Sequence, residues 1–143
     1  MIRFETTESV RMPRIDVAME RRWLTAVAER LGFGMGNVTY RFCNDEEILA
    51  ANREFIDHDY FTDVITFDYT RCGKVGGDVL ISLDTVESNA ELLGVQYERE
   101  LHRVIVHGVL HLCGINDKGP GEREIMEQHE DAALVLLDEM KDL

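Results

Sequence analysis

Val104-Ile105-Val106-His107-Gly108-Val109-Leu110-His111-Leu112-Cys113-Gly114-Ile115-Asn116-Asp117 is the stretch on which the reading of this chain turns. From Val104 to Cys113 it is apolar nearly all round, His107 and His111 apart. A helix of that pattern belongs in the middle of a domain, so residues 96–113 are expected to form a central buried helix. Buried imidazoles need partners for their ring nitrogens. These two stand four apart, one above the other on one helix face, so both rings can converge on one metal ion. Gly114 can take the left-handed conformation that ends a helix and turns the chain back. Asp117 then follows, six residues after His111.

The spacing is His-x3-His-x5-Asp, and it overlaps the His-x3-His-x2-Gly-x2-His of extended zinc-binding helices. Two ligands from one turn and a third past a glycine leave a coordination position open, as in catalytic zinc sites. His107, His111 and Asp117 are therefore the candidate ligands of one Zn2+ per chain. His129 is a rival for the third place, and Asn116 a poor donor. Zinc follows from the softness of the ligands, and nickel, cobalt or iron suit similar donors. The His-Glu-x-x-His proteases carry their general base directly after the first histidine. Gly108 stands there in this chain, so peptide hydrolysis by that route lacks its base.

Outward from this helix the chain reads as alternating elements. A short strand is expected over 2–5 and a helix over 14–31, striped by Ile15, Met19, Trp23, Val27 and Leu31. Strands are predicted over 36–43, 63–69 and 78–83, with a turn region over 70–77. Helices are predicted over about 45–56, 84–93 and 121–141, the last with a solvated acidic face and Ile125, Met126, Ala133, Leu134 and Leu137 inward. Intermixed strands and helices give an α+β class: one domain over 1–143, a small mixed sheet packed by helices around the metal-binding one.

The chain has 143 residues, 45% apolar and 30% charged, with a net charge of −13. That length can bury a core without disulfides, and Cys43, Cys72 and Cys113 read as reduced cytosolic thiols. No apolar run approaches the roughly 20 residues of a membrane span. Met1-Ile2-Arg3-Phe4-Glu5 has no signal-peptide core, so a cytoplasmic protein with no membrane partner is expected. The acidic balance disfavours non-specific nucleic-acid binding, but the charge is uneven. Residues 1–30 carry six Arg against five acids, whereas 122–143 carry eight acids against two bases.

The His107–Asp117 stretch resembles the His-Gly-x-Leu-His-Leu-x-Gly-x-Asp-His motif of the YbeY family, zinc-dependent endoribonucleases of ribosomal RNA maturation. Phe61-Thr62-Asp63-Val64-Ile65-Thr66-Phe67 resembles the family's Pro-Thr-Asp-Val-Leu-Ser-Phe. Gly77-Asp78-Val79-Leu80-Ile81-Ser82 resembles its Gly-Asp-Ile-x-Ile-Ser, and Ala51-Asn52 its Leu-Asn before a helix end. The likeness spans roughly residues 35–135. Two departures from the family matter: Asp117 stands at the third histidine, and Ile56, after Phe55, at the arginine of a Tyr-Arg pair that serves substrate or catalysis. Arg53, one turn earlier, could take that arginine's part by reaching further.

The resemblance implies a single-strand-specific endoribonuclease in maturation of the small-subunit ribosomal RNA 3′ end. Its partners would be ribosomal RNA and the small ribosomal subunit. Two alternatives stay open: a zinc hydrolase on another substrate, and a non-catalytic, metal-stabilised ribosome-assembly factor. Thr62 and Asp63 could orient substrate or a ligand, or simply start a strand. Asp78 could hold a histidine ring N–H, or be a turn carboxylate. His58 and His102 read as solvated or partly buried, and Cys113 as core. Arg3, Arg11, Arg14, Arg41 and Arg53 are expected to gather near the metal cleft.

Overall fold

Strand alternation divides the sheet of this molecule into a packed face and a more open one. The computed structural model describes residues 1–56 and 63–142, with the backbone only at Phe55 and Ile56. His58, Phe61 and Thr62 lie outside the described residues. Strand β1 (Ile2–Thr6) runs parallel to β2 (Gly34–Cys43), and β2 parallel to β4 (Lys74–Ser82); β3 (Val64–Asp68) pairs antiparallel with β4. The spatial order is β1-β2-β4-β3. Val38, Tyr40 and Phe42 of β2 and Val75, Val79 and Ile81 of β4 are buried on the packed face. Arg41 and Asp78 are exposed on the other. At one end of that other face Cys43, Ile48 and Ile65 make a small second core.

The helices are α1 (Val17–Arg30), α2 (Asp45–Ala51), α3 (Leu83–Leu93), α4 (Tyr97–Leu112) and α5 (Glu122–Lys141). Asp16 caps α1 through the Met19 N–H, and Asn44 with Glu47 forms a capping box on α2. Helix α4 lies in the middle, in contact with β3, β4, α1, α3 and α5. Its Leu101, Val104, Ile105, Val106, Val109, Leu110 and Leu112 are all at most 1% exposed. Each such side chain contributes about 1.5–3 kcal/mol relative to exposure. Two polar staples tie the layers. The Tyr40 hydroxyl donates to the Ile105 carbonyl at 2.6 Å, and the Trp23 indole N–H to the Ala133 carbonyl at 2.7 Å. Gly108 lets α4 lie close on the sheet: a Cβ there would stand 2.8 Å from Val79 Cγ1.

The α+β class and central helix follow the sequence pattern, with three corrections. The single helix expected over 45–56 is α2 followed by a π-helical turn, Asn52–Ile56. Strand β4 begins at Lys74, inside the expected turn, because pairing with Gly34, Met35 and Val38 of β2 carries it through Gly76 and Gly77; ladder partners override weak strand propensity. In α5, Ile125 is 50% exposed while Glu130 is buried, so the acidic helix is not solvated throughout. None of the helices among the described residues is long and apolar enough to cross a membrane.

Candidate metal centre

The end of α4 builds the site. The Ile115 N–H donates to the Leu110 carbonyl at 3.0 Å and the Gly114 N–H to the His111 carbonyl at 2.9 Å, with Gly114 at φ +90°. This is the Schellman pattern, which requires a left-handed residue at that place. The turn carries Asp117 back over the histidines. Its Oδ2 lies 3.4 Å from His107 Nε2 and 3.5 Å from His111 Nε2. Donors about 2.0–2.1 Å from a tetrahedral ion stand roughly 3.3 Å apart, so the donor set fits one cation. His107, His111 and Asp117 are the group among the described residues able to hold a metal ion, their ligand atoms all within 4.8 Å of one another.

The histidine rings are held edge to face, their centroids 4.5 Å apart. His107 Nδ1 lies 2.5 Å from Glu130 Oε2 on α5. A carboxylate there accepts a hydrogen bond from Nδ1–H and fixes the tautomer whose Nε2 lone pair is free to bind a metal. Glu130 Oε1 accepts from Arg103 at 3.2 Å, Arg103 also pairs with Glu100, and Asp63 lies 3.8 Å from its guanidinium. The hydrogen bond to Glu100 leads the causes that raise the Arg103 pKa above its ordinary value, so Arg103 stays charged. Burial raises the Asp63 carboxyl, with His107 and Arg103 holding that rise back. Burial, then His107, lowers His111 from its ordinary value; a neutral imidazole is the form that binds a metal.

A cleft of about 390 Å³ opens over these groups. Asp63, Arg103, His107, Asp117, Arg123 and Glu130 supply much of its polar lining, and Leu92 and Leu93 of α3 an apolar rim.

The structure thus brings His107, His111, Asp117 and Asp63 to one place. It puts Asp78 elsewhere. Val79 meets α4 at Gly108, so by strand alternation Asp78 points to the opposite face. The carboxylate on the histidine ring is Glu130, not Asp78. His129, the neighbour of Glu130, faces a hollow with Val27, Leu110 and Ala133 and is no third ligand. Arg53 is exposed on the π-helical turn. Arg3 and Arg41 are exposed on strands β1 and β2, with Arg41 3.9 Å from Glu5. The described arginines lining the cleft are Arg103 and Arg123, so the N-terminal arginines do not gather there. Glu130 and Arg103 were missed because their partners are 23 and 27 residues away in sequence; their only signal was a charge on an otherwise inward helix stripe. His102, expected to be solvated or partly buried, is a core residue. It is 8% exposed, against Trp23 and 3.0 Å from the buried Glu20.

Residues 3–138 match the family described as Endoribonuclease YbeY. Endoribonuclease YbeY of Parabacteroides distasonis is 55% identical over 132 residues, covering 92% of this chain and 93% of that protein. The same-named protein of Phocaeicola vulgatus is 55% identical over 137 residues, covering 96% and 99%. The solution structure of TM1509 from Thermotoga maritima superposes with a TM-score of 0.67 at 25% identity, over 99% of this chain and 93% of that one. Matches of this length and identity, over the segment that forms the His-His-Asp cluster and the sheet beneath it, make this chain a member of the YbeY family.

Proposed function

We propose that this protein is a zinc-dependent endoribonuclease that cleaves single-stranded ribosomal RNA in small-subunit 3′-end maturation, working in the cytoplasm on the small ribosomal subunit. The observation that carries this reading is the convergence of His107 Nε2, His111 Nε2 and Asp117 Oδ2 beside a cleft that His107 and Asp117 line, in a chain related to proteins named endoribonuclease. Three protein donors leave a coordination place for substrate or water. A zinc ion held by His107, His111 and Asp117 would supply Lewis acidity toward a phosphodiester oxygen and would lower the pKa of water. The protein's own contribution is orientation. Glu130 fixes the His107 ring, Arg103 fixes Glu130, and Asp63 stands beside them in the cleft.

The carboxylate at Asp117 lowers the charge of the centre relative to a three-histidine site, so hydrolysis is expected to peak at higher pH than in such a homologue. Asp117→His is expected to keep the metal and move the profile to lower pH. The deciding experiment is elemental analysis of the purified protein followed by cleavage of structured ribosomal RNA with and without chelator. Bound zinc and chelator-sensitive cleavage support the reading; metal-free protein that still cleaves overturns it. A second reading, a metal-stabilised assembly factor without cleavage, is favoured by the carboxylates Asp63, Glu127 and Glu130 in the cleft. It is expected to show metal and RNA binding with no cut.

A further inference from the structure

Leu92 and Leu93 of α3 line the same cleft as His107 and Asp117, and the fold does not use them. Leu92 is 84% exposed and Leu93 59%. Apolar side chains left open beside a polar site mark a place where another molecule packs.

Helix α3 buries Val86 and Ala90 and touches α4, and its last turn lines the cleft. That turn is fixed. Gly94 ends the helix at φ +68°, its N–H donating to the Glu91 carbonyl at 3.3 Å, and the Val95 N–H donates to the Ala90 carbonyl at 3.0 Å. The leucines are therefore held on a capped helix, not on a loose connection. Asn89 stands three and four residues before them, hence on the same helix face, and lines the cleft too. Its side-chain amide has no hydrogen-bond partner among the described residues.

Most of the remaining lining is charged. Asp63, Asp117, Glu127 and Glu130 outnumber Arg103 and Arg123 there, a balance that does not draw a bare phosphate chain. A cation on the three donors would offset the difference and hold one phosphate. Any further grip on an RNA strand has to come from its uncharged part, the base. A base has flat faces that gain by leaving water against apolar side chains. Its edge carries donors and acceptors, and an Asn amide offers both in return. The cleft, at about 390 Å³, falls within the roughly 300–1,000 Å³ of small-ligand sites.

We propose that Asn89, Leu92 and Leu93 form the base-holding wall of the cleft. The two leucines pack on the face of an unpaired nucleobase beside the phosphate at the metal centre, and the Asn89 amide meets the edge of that base. This rests on the endoribonuclease reading above and deepens it: a base has to be unpaired and unstacked to reach the wall, so the wall selects single strands.

The test compares two labelled chains of about a dozen nucleotides, a length that spans such sites. One is oligoadenylate. The other has the same backbone built from stable abasic nucleotides. Stopped-flow anisotropy with zinc present reads binding before any strand is cut. Wild type is expected to bind oligoadenylate at least about fivefold more tightly than the abasic chain. Leu92→Ser/Leu93→Ser, both at exposed positions, is expected to weaken oligoadenylate binding at least about fivefold. It is expected to bind the abasic chain as wild type does and to unfold at the same urea concentration. Asn89→Ala is expected to weaken oligoadenylate binding about two- to tenfold. With cleavable RNA the leucine variant is expected to raise KM about as much as it weakens binding, with kcat within about twofold. Wild type that binds both chains equally, or neither, overturns the proposal. So does a leucine variant that binds oligoadenylate within about twofold of wild type, the result expected if the leucines seat a protein. Equal loss of both chains overturns it as well, because the effect then lies in the backbone or the fold. Base-dependent binding carried by the leucines, in a wild type that cuts no RNA, supports the wall and removes the endoribonuclease reading. Cleavage by wild type with KM and binding unchanged in the leucine variant leaves the endoribonuclease reading and removes the wall.

Discussion

Helix α4 carries His102, His107 and His111 and places them in two environments. His102 is in the core, its ring edge-on to Trp23 and its Nε2 3.0 Å from the buried Glu20, without a hydrogen bond of good geometry. His107 also has a buried carboxylate, Glu130, but on Nδ1, while Nε2 faces a second histidine and Asp117. The difference lies in the second nitrogen. A lone imidazole against one carboxylate is part of the packing. An imidazole braced on one side and converging with other donors on the other is a binding site.

That contrast can be broken by substitution. Asp117→Ala or His111→Ala removes a ligand and is expected to cost more than about 100-fold in zinc affinity, beyond the range for changes outside the ligand set. Competition with a chromophoric chelator reads it, and unchanged tight binding in Asp117→Ala would show that the third donor is elsewhere. Glu130→Gln keeps the volume but weakens the brace, and is expected to lower zinc affinity about 10–100-fold. Glu20→Ala is the control on the other histidine. It is expected to destabilise the fold by about 1–3 kcal/mol in urea unfolding, because His102 loses its buried partner, and to leave zinc affinity alone. A metal defect in Glu20→Ala would erase the distinction.

Smaller effects sharpen the contrast. His111 has its pKa lowered by burial and by His107, so the unfolded chain takes up a proton first as pH falls. Stability of the metal-free protein is therefore expected to decline as pH drops through about 6.5 and below, and that slope is expected to be shallower in His111→Asn. Among the thiols, burial pushes Cys43 up to about 12 and Cys113 up to about 11, while Cys72 is exposed. One cysteine is expected to react with iodoacetamide in the folded protein, and three after denaturation.

What could be read in the sequence was what lies close in it. The apolar girdle of α4, the four-residue histidine spacing, the glycine stop and the returning Asp117 occupy one short stretch, and each obeys helix geometry. The sheet class followed from alternation, although glycines hid the first residues of β4. The bracing network was not legible. Glu130 differs from the other acids of its helix only in standing on the inward stripe, and the packing of α5 against α4 is what shows that it is buried against His107. Asp78 misled for the opposite reason: it is near the right motif, but strand alternation sends it to the wrong face.

The Schellman turn at Gly114 also bears on the order in which the site comes together. All three donors lie between residues 107 and 117, so a cation held by them closes a very short loop, and loop-closure entropy grows only with the logarithm of length. The donors therefore need little more than the last turns of one helix and the bend after it. Glu130 has to wait for α5 to dock. In refolding experiments zinc is expected to bind a chain that has formed the end of α4 before the brace arrives, and to release more slowly once it has. Metal capture would then belong to the early, local part of folding and metal retention to its completion.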